Sequence, residues 1–303
     1  MVSQALPALS SRSFASKLGA YVALTKPRII ELLLVTTVPA MVVAERGLPD
    51  VWLIVATVIG GTLAAGGANA INMVVDRDID ALMERTRDRP LVTGAMTPQA
   101  ALAFALALEA TAFVWLWGFV NLLSAVLAVS ATLFYVFIYT LWLKRTSSQN
   151  IVIGGAAGAA PVLIGWAAVT NELAWAPWVM FAIVFFWTPP HFWALAIKYR
   201  DDYRRADVPM LPSVRSTHDV GVQIVAYSAV VLVASLVLVP VADLGIIYTA
   251  TAAISGAMLI WFSLMVVRMT DSRSAMRLFS YSITYLTVLF AAMAVDQLIP
   301  LGT

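Results

Sequence analysis

The chain consists of long apolar runs separated by short polar segments. Nine of these runs approach the length of about 20 residues with which a helix crosses a bilayer. They are too long and too uniformly apolar to be the alternating strands of a membrane barrel. The pattern predicts an all-α polytopic integral membrane protein with about nine transmembrane helices, at residues 29–44, 51–75, 98–118, 122–143, 151–169, 174–197, 220–239, 244–267 and 279–299.

The basic residues follow these runs in a regular alternation. From the N-terminus, the tail and the successive gaps hold 4, 1, 4, 0, 2, 0, 5, 0, 3 and 0 of the 19 Lys and Arg residues. Basic loops collect on the cytoplasmic side of a membrane. We therefore predict that the N-terminus is cytoplasmic, that the number of spans is odd and that the C-terminus lies on the opposite side.

The composition excludes several classes of protein. With 61% hydrophobic and 12% charged residues and a mean hydropathy of +0.87, the chain is not a soluble domain. It has no Cys, which excludes disulfides, thiolate zinc sites and iron–sulfur ligation. A net charge of +2 is too small to indicate nucleic acid as a partner.

The first residues allow two interpretations. Residues 1–24 are predicted to be an N-terminal cytoplasmic tail, and residues 25–303 a single transmembrane domain. An acid-free, Ser-rich start is also typical of a mitochondrial presequence, but Arg12 and Lys17 equally obey the positive-inside rule. The short tail favours a bacterial cell inner membrane, with the N-terminus cytoplasmic and the C-terminus periplasmic.

The second run closes with polar residues at helical spacing. Asn72, Asp76 and Asp80 are four residues apart, so a helix places them on one face. Their oxygen atoms suit Mg²⁺, which completes its shell with water and substrate phosphate. Three arginines whose guanidinium groups match phosphate oxygens follow closely, at Arg85, Arg87 and Arg89. The alternative is a solvated helix end with locally paired charges.

A second polar cluster closes the sixth run on the same side of the membrane. Asp202 lies 122 residues after Asp80, which suggests diverged four-helix repeats that bring both acidic helix ends to one cavity. The alternative is a juxtamembrane loop that is charged because it is in contact with water. It would account for Lys198, Asp201, Asp202 and Arg204.

Three ionisable residues fall within or beside apolar runs. His191 follows two prolines and needs a polar partner. It could ligate a metalloporphyrin, act as an acid or base, or hydrogen-bond to a carbonyl freed by the proline kink. Glu31 and Glu109 are candidates for a functional role because burying a carboxylate is costly. For Glu31 the alternative is that it reaches toward the interface beside Lys26 and Arg28.

Residues 72–91 resemble the first aspartate-rich motif of the UbiA superfamily of intramembrane prenyltransferases. Residues 188–212 resemble the branch of that family that farnesylates haem, and Lys26, Pro27 and Arg28 are similar to its entry motif. The resemblance begins near residue 25 and implies nine helices around a central cavity. Met73 departs from the wider family, which has Asp there, and Asp207 falls one residue late in the second motif.

The resemblance implies transfer of the farnesyl group of farnesyl diphosphate to a vinyl group of haem B with addition of water, giving haem O and diphosphate. It assigns Mg²⁺ to Asn72, Asp76, Asp80 and Asp202, and catalytic roles to Asp76, Asp80, Asp202 and Lys198. It assigns diphosphate to Arg85, Arg89, Lys198, Lys26 and Arg28, and haem contact to His191. The number of metal ions is left open.

The expected partners are farnesyl diphosphate, haem B and the lipid bilayer, with haem A synthase or oxidase assembly proteins implied by the resemblance. Two other functions compete with this one. Another UbiA-type enzyme would prenylate an aromatic or quinone precursor, and the segments around His191 and at residues 209–212 argue against it. A secondary transporter would place its site near the bilayer midplane, whereas most acidic residues here lie at cytoplasmic helix ends.

Overall fold

The computed structural model describes residues 14–299, apart from the side chains of residues 14–17 and 28–34. Within this range the structure is all-α and contains no strand. Its helices are α1 (Phe14–Thr25), α2 (Pro27–Glu45), α3 (Val51–Val75), α4 (Arg77–Leu82), α5 (Pro98–Phe119), α6 (Leu122–Leu133), a π-helical segment (Phe134–Leu143), α7 (Lys144–Thr146), α8 (Asn150–Thr170), α9 (Trp175–Lys198), α10 (Arg200–Arg205), α11 (Leu211–Val214), α12 (Thr217–Val241), α13 (Ile246–Met269) and α14 (Ser272–Leu298).

Eight helices of the described chain are long and apolar enough to cross a membrane. They are α3, α5, the continuous helix from α6 through α7, α8, α9, α12, α13 and α14. The 19-residue α2 packs among them and corresponds to the first predicted run. The prediction of an all-α membrane protein is confirmed, with a helix count close to the nine expected.

The long helices pack as two groups of four with α2 between them. In one group α3 contacts α5, α5 contacts α6, and α8 contacts both α6 and α3. In the other, α9, α12, α13 and α14 contact one another in a closed ring. The helix α2 touches α8, α14 and α3, so it joins the two groups. This grouping agrees with four-helix units, while their descent from a repeat stays a prediction.

Glycines allow the closest approaches between these helices. A methyl group added to Gly165 of α8 would come within 2.6 Å of the Thr37 carbonyl oxygen of α2. On Gly155 it would lie 3.0 Å from the Thr188 side chain of α9. Small residues let helices pack in lipid, where apolar burial by itself does not drive helix association. These two positions therefore seat α8 against the helices on both sides.

Five of the long helices begin at polar caps. Their side-chain oxygens accept a first-turn N–H that has no partner within the helix. The capping residues are Asp50 for α3, Thr97 for α5, Asn121 for α6, Ser216 for α12 and Asp271 for α14. In a low-dielectric environment, such caps remove the cost of leaving those amides unpaired.

Part of the predicted N-terminal tail is helical. Residues 14–25 form the helix α1, which packs on α3. Leu24 is fully buried, and the Tyr21 and Phe104 rings lie 4.9 Å apart. Apolar side chains at helical spacing account for this packing, and they were outweighed by Ser and basic residues in the composition. The prediction for residues 1–13 lies outside the described residues.

We expect Gly165→Ala to destabilise the protein by about 1–3 kcal/mol, because its new methyl group would overlap a backbone oxygen that has no free rotation. The matched control is Gly158→Ala on the same helix, where the space around the added methyl group is open. Thermal unfolding in a mild detergent measures the difference. Equal unfolding temperatures for Gly165→Ala and wild type would contradict the packing described for α2 and α8.

Candidate active site

The candidate site begins where α3 ends. The helix stops at Val75, Asp76 caps it, and α4 starts at Arg77, so the predicted single helix is divided at this point. The amide of Asp76 still donates to the Asn72 carbonyl (2.9 Å), and the amide of Asp80 donates to the Asp76 carbonyl (2.8 Å). These two i,i+4 hydrogen bonds across the junction keep the three predicted residues, Asn72, Asp76 and Asp80, in one row.

Asp76 is fully buried and is held by two hydrogen-bond donors. The Asn72 side-chain amide donates to its Oδ2 atom at 2.6 Å, and the Lys144 ammonium forms an ion pair with the same oxygen. The other oxygen, Oδ1, is buried and accepts no hydrogen bond from the described residues. The Arg145 guanidinium lies 3.6 Å from it. Asp76 is therefore a carboxylate with one oxygen still available.

Lys26 and Arg89 extend this cluster on either side. Lys26 donates to Asn72 Oδ1 at 3.0 Å, and Arg89 donates to Asp80 Oδ2 at 2.5 Å. Loss of hydration, followed by repulsion from Arg89 and Lys144, lowers the pKa of Lys26 to about 7. Asn72, Asp80 and Asp76 thus each contact a basic side chain.

Thr140 and Lys144 belong to the site but were not predicted as site residues. The π-helical segment ends at Leu143, directly before Lys144, and Thr140 donates to the carbonyl of Tyr135, five residues back, at 2.8 Å. Thr140 also accepts from the Asn72 amide at 3.2 Å. Pi-helical turns are rare and often mark functional sites. The one signal in the sequence is that Lys144 directly ends an apolar run, where a buried cation requires an anionic partner.

Asp78 lies off the row, as the sequence indicated. Both of its oxygens accept from Arg145 at 2.7 Å, and its side chain is exposed. The hydrogen bonds from Arg145 lower the pKa of Asp78 to about 2. The local charge pairing considered as the alternative for the whole segment therefore describes Asp78, while Asp76 and Asp80 are buried.

The second polar cluster contributes a single buried carboxylate. Asp202 lies in α10 and is paired with Arg205, which also approaches Glu84 at 3.8 Å. Ala206, four residues after Asp202, is buried. Asp207 follows α10 in a left-handed conformation (φ 50°) and is exposed. Asp207 therefore does not form a second acidic ligand beside Asp202.

Arg85 connects the two polar clusters. It donates to the Tyr203 hydroxyl at 3.1 Å and lies 5.3 Å above the Tyr203 ring. The Tyr199 ring lies between two cations, 5.9 Å from Arg85 and 5.4 Å from Lys198. Burial raises the pKa of Tyr203, so its phenol stays neutral. The structure thus brings the loop after α4 against the end of α9 and against α10, as the two motifs predicted.

The described residues offer a carboxylate for a metal ion but no preformed cage. They contain no group of three His, Cys, Asp or Glu side chains placed to hold a metal. Mg²⁺ needs only one or two carboxylates when water and phosphate complete its shell, and Asp76 Oδ1 is a buried oxygen that accepts no hydrogen bond from the described residues and lies 3.6 Å from Arg145. Joint ligation by Asn72, Asp76, Asp80 and Asp202 stays a prediction.

Two further candidates, His191 and Glu109, have other contacts. His191 is stacked between Trp187 (4.3 Å) and Phe279 (4.6 Å), and its Nδ1 atom is 2.8 Å from the Ser282 hydroxyl. Glu109 accepts from Thr132 at 3.2 Å. The side chains of Arg28 and Glu31 lie outside the described residues.

Known proteins resemble this chain in sequence and in fold. Residues 33–292 match the UbiA prenyltransferase family. The chain is 53% identical over 292 residues to Protoheme IX farnesyltransferase of Clavibacter sepedonicus, with 94% of each chain covered.

Two solved structures share the fold. One, from work on the biosynthesis of digeranylgeranylglyceryl phosphate synthase in membranes, has a TM-score of 0.76 at 16% identity and covers 93% of this chain and 98% of its own. The other, a UbiA homologue from Archaeoglobus fulgidus bound to DMAPP and Mg²⁺, has a TM-score of 0.63 at 16% identity and covers 91% and 99%. The chain therefore belongs to the UbiA prenyltransferase family.

Proposed function

We propose that this chain transfers the farnesyl group of farnesyl diphosphate to a vinyl group of protohaem IX, with addition of water, and releases haem O and diphosphate. The observation that carries the proposal is the buried row Asn72, Asp76 and Asp80, whose members contact Lys26, Lys144 and Arg89 respectively. A concentration of cations around one available carboxylate oxygen is suited to a metal-bound diphosphate. The relative from Clavibacter sepedonicus supports the choice of acceptor.

The basic side chains bind the diphosphate and stabilise it as a leaving group. Lys26, Arg89 and Lys144 contact the Asp row, and Arg85 and Lys198 approach from the second cluster. Arg28 is assigned to the same role from the sequence. When the carbon–oxygen bond breaks, its electron pair leaves with the diphosphate. Fixed positive charges in a poorly hydrated site stabilise the negative charge that grows there.

Asn72, Asp76, Asp80 and Asp202 would hold Mg²⁺ in this scheme. The ion supplies further positive charge to the diphosphate oxygens when it is bound. The Archaeoglobus fulgidus homologue bound to DMAPP and Mg²⁺ supports this assignment. Asp76 is the residue on which it depends most, because its Oδ1 atom has no hydrogen-bond partner among the described residues.

The apolar helices exclude water from the allylic cation while the acceptor approaches. The vinyl carbon forms a bond with the farnesyl carbon, which moves the positive charge onto the porphyrin side chain. Addition of water there, with loss of a proton, completes the product. The apolar membrane helices beside the site limit earlier reaction of the allylic cation with water.

We assign the haem contact to His191. Its ring is fixed between Trp187 and Phe279, and its Nδ1 atom is paired with Ser282, which leaves Nε2 as the nitrogen for an axial bond or for accepting a proton. Because aromatic rings stack on both faces of His191, its ring has one fixed orientation toward the planar haem B.

We also propose that the site faces the cytoplasm in a bacterial inner membrane. All of its basic side chains lie at one end of the helices, and basic loops are retained on the cytoplasmic side. The C-terminus is then periplasmic.

Asp76→Asn is expected to lower haem O formation by at least about 100-fold, because it removes the charge that a metal needs and that the surrounding cations balance. Purified protein in nanodiscs with haem B, farnesyl diphosphate and Mg²⁺ tests this by mass spectrometry. Asp88→Asn, at an exposed residue of the loop after α4, is the matched control. Wild-type protein that prenylates a quinone precursor and leaves haem B unchanged would refute the acceptor assignment.

His191→Phe preserves an aromatic ring in the stack and removes both nitrogen atoms. We expect a shifted Soret band for bound haem B and haem affinity lower by about tenfold, since an axial bond is lost. Ser282→Ala is the control for the Nδ1 hydrogen bond alone. An unchanged spectrum in His191→Phe would remove His191 from the haem site.

Because the chain has no Cys, single cysteines report its orientation directly. In intact cells, an impermeant maleimide should label Glu172→Cys, in the loop between α8 and α9, and leave Gln149→Cys unlabelled until the cells are opened. Both positions are exposed. The opposite labelling pattern would contradict this topology.

A further inference from the structure

Lys144 is a deeply buried cation of the candidate site. Its side chain is 10% exposed, and the Asp76 side chain with which it pairs is 0% exposed. The carboxylate oxygen that it contacts also accepts from Asn72. Removal of one partner of such a buried ion pair strongly destabilises the protein, because the other charge stays buried without a partner.

The surrounding oxygens leave little room for a metal ion that arrives alone. Lys26 holds the Asn72 oxygen, and Arg89 holds Asp80. An ion that approached the available oxygen of Asp76 would meet Lys144 on the other carboxylate oxygen and Arg145 at 3.6 Å. Coulomb repulsion between a divalent ion and two cations is strong where water is scarce.

A diphosphate changes this balance. Its oxygens offer Lys144 a second anionic partner, so the ammonium can leave Asp76 without becoming an unpaired buried charge. The oxygen that it leaves, together with the one already available, then presents a complete carboxylate to the metal. The diphosphate thus removes the repulsion that opposes binding of the metal ion at Asp76.

We propose that Lys144 is a positioning residue that makes binding of a divalent metal conditional on diphosphate. It neutralises Asp76 in the free protein and releases it when the prenyl diphosphate enters. This inference rests on the proposed function, because it uses the same Asp76 site. By thermodynamic linkage, the diphosphate raises the affinity for metal by the same factor by which the metal raises the affinity for diphosphate.

The π-helical segment gives this role a structural basis. Thr140 and Lys144 are four residues apart and contact Asn72 and Asp76, which are also four residues apart. Thr140 stays on Asn72 through a neutral hydrogen bond, so the segment remains attached to α3 when Lys144 moves. One helix thereby supplies both a fixed contact and an exchangeable one.

The test measures Mn²⁺ binding by electron paramagnetic resonance, with farnesyl thiolodiphosphate as the unreactive diphosphate and a protein-free titration to correct for its own chelation. We expect the analogue to raise the Mn²⁺ affinity of wild type on the order of tenfold. Lys144→Met should bind Mn²⁺ alone on the order of tenfold more tightly than wild type, with the coupling largely lost. Lys144→Arg, which keeps the charge, should retain coupling.

Arg268→Met is the matched charge control, because Arg268 is exposed at the end of α13, which packs on α12 and α14. It should behave as wild type. The inference is overturned if folded Lys144→Met binds Mn²⁺ no more tightly than wild type, or if Lys144→Arg loses coupling as Lys144→Met does. If Lys144→Met does not fold, coupling in wild type of less than about twofold overturns it.

These outcomes separate the inference from the proposed function. Wild-type protein that does not bind the analogue, with or without Mn²⁺, would refute the prenyl diphosphate site itself. Analogue binding with Mn²⁺ affinity independent of residue 144 would refute only the role of Lys144.

Discussion

A carboxylate that is removed from water needs a positive partner, and Asp76 imposes this requirement on the whole site. It is fully buried at the end of a membrane helix, where the free energy of an uncompensated charge is high. Lys144 and Asn72 satisfy it on one oxygen. Because Lys144 must reach α3 from another helix, the requirement also fixes where α6 and its π-helical extension end.

A separate set of contacts holds the two polar loops together. Arg85 is placed by the Tyr203 hydroxyl and ring, and Arg205 by Asp202 and Glu84. The contacts of Arg85 with Tyr203 and of Arg205 with Glu84 join the loop after α4 to α10. Arg85 is therefore held by neutral aromatic rings, and its charge is not neutralised by an acidic partner among these contacts.

Hydropathy and local spacing predicted much of this arrangement. The helices follow from apolar runs that have no other stable form in lipid, and Asn72 and Asp76 were found because an i,i+4 relation is local. Lys144 was missed because its partner is 68 residues away, and π-helical geometry leaves no periodic signal in the sequence. The helix α1 was not predicted because the Ser and basic residues of its surroundings outweighed its apolar positions.

The position of the site at the helix ends favours an enzyme over a transporter. The paired carboxylates lie where α3 ends and α10 begins, at the helix ends, whereas Glu109 lies in the middle of α5. Glu109 is hydrogen-bonded to Thr132, and its carboxyl group occupies the space that a side chain on Gly67 would fill. The mid-span carboxyl group is thus part of the packing between α3, α5 and α6, while the helix ends hold the charged cluster. A charged headgroup held near water, with apolar helices below it for the chain it carries, is the geometry that a prenyl diphosphate requires.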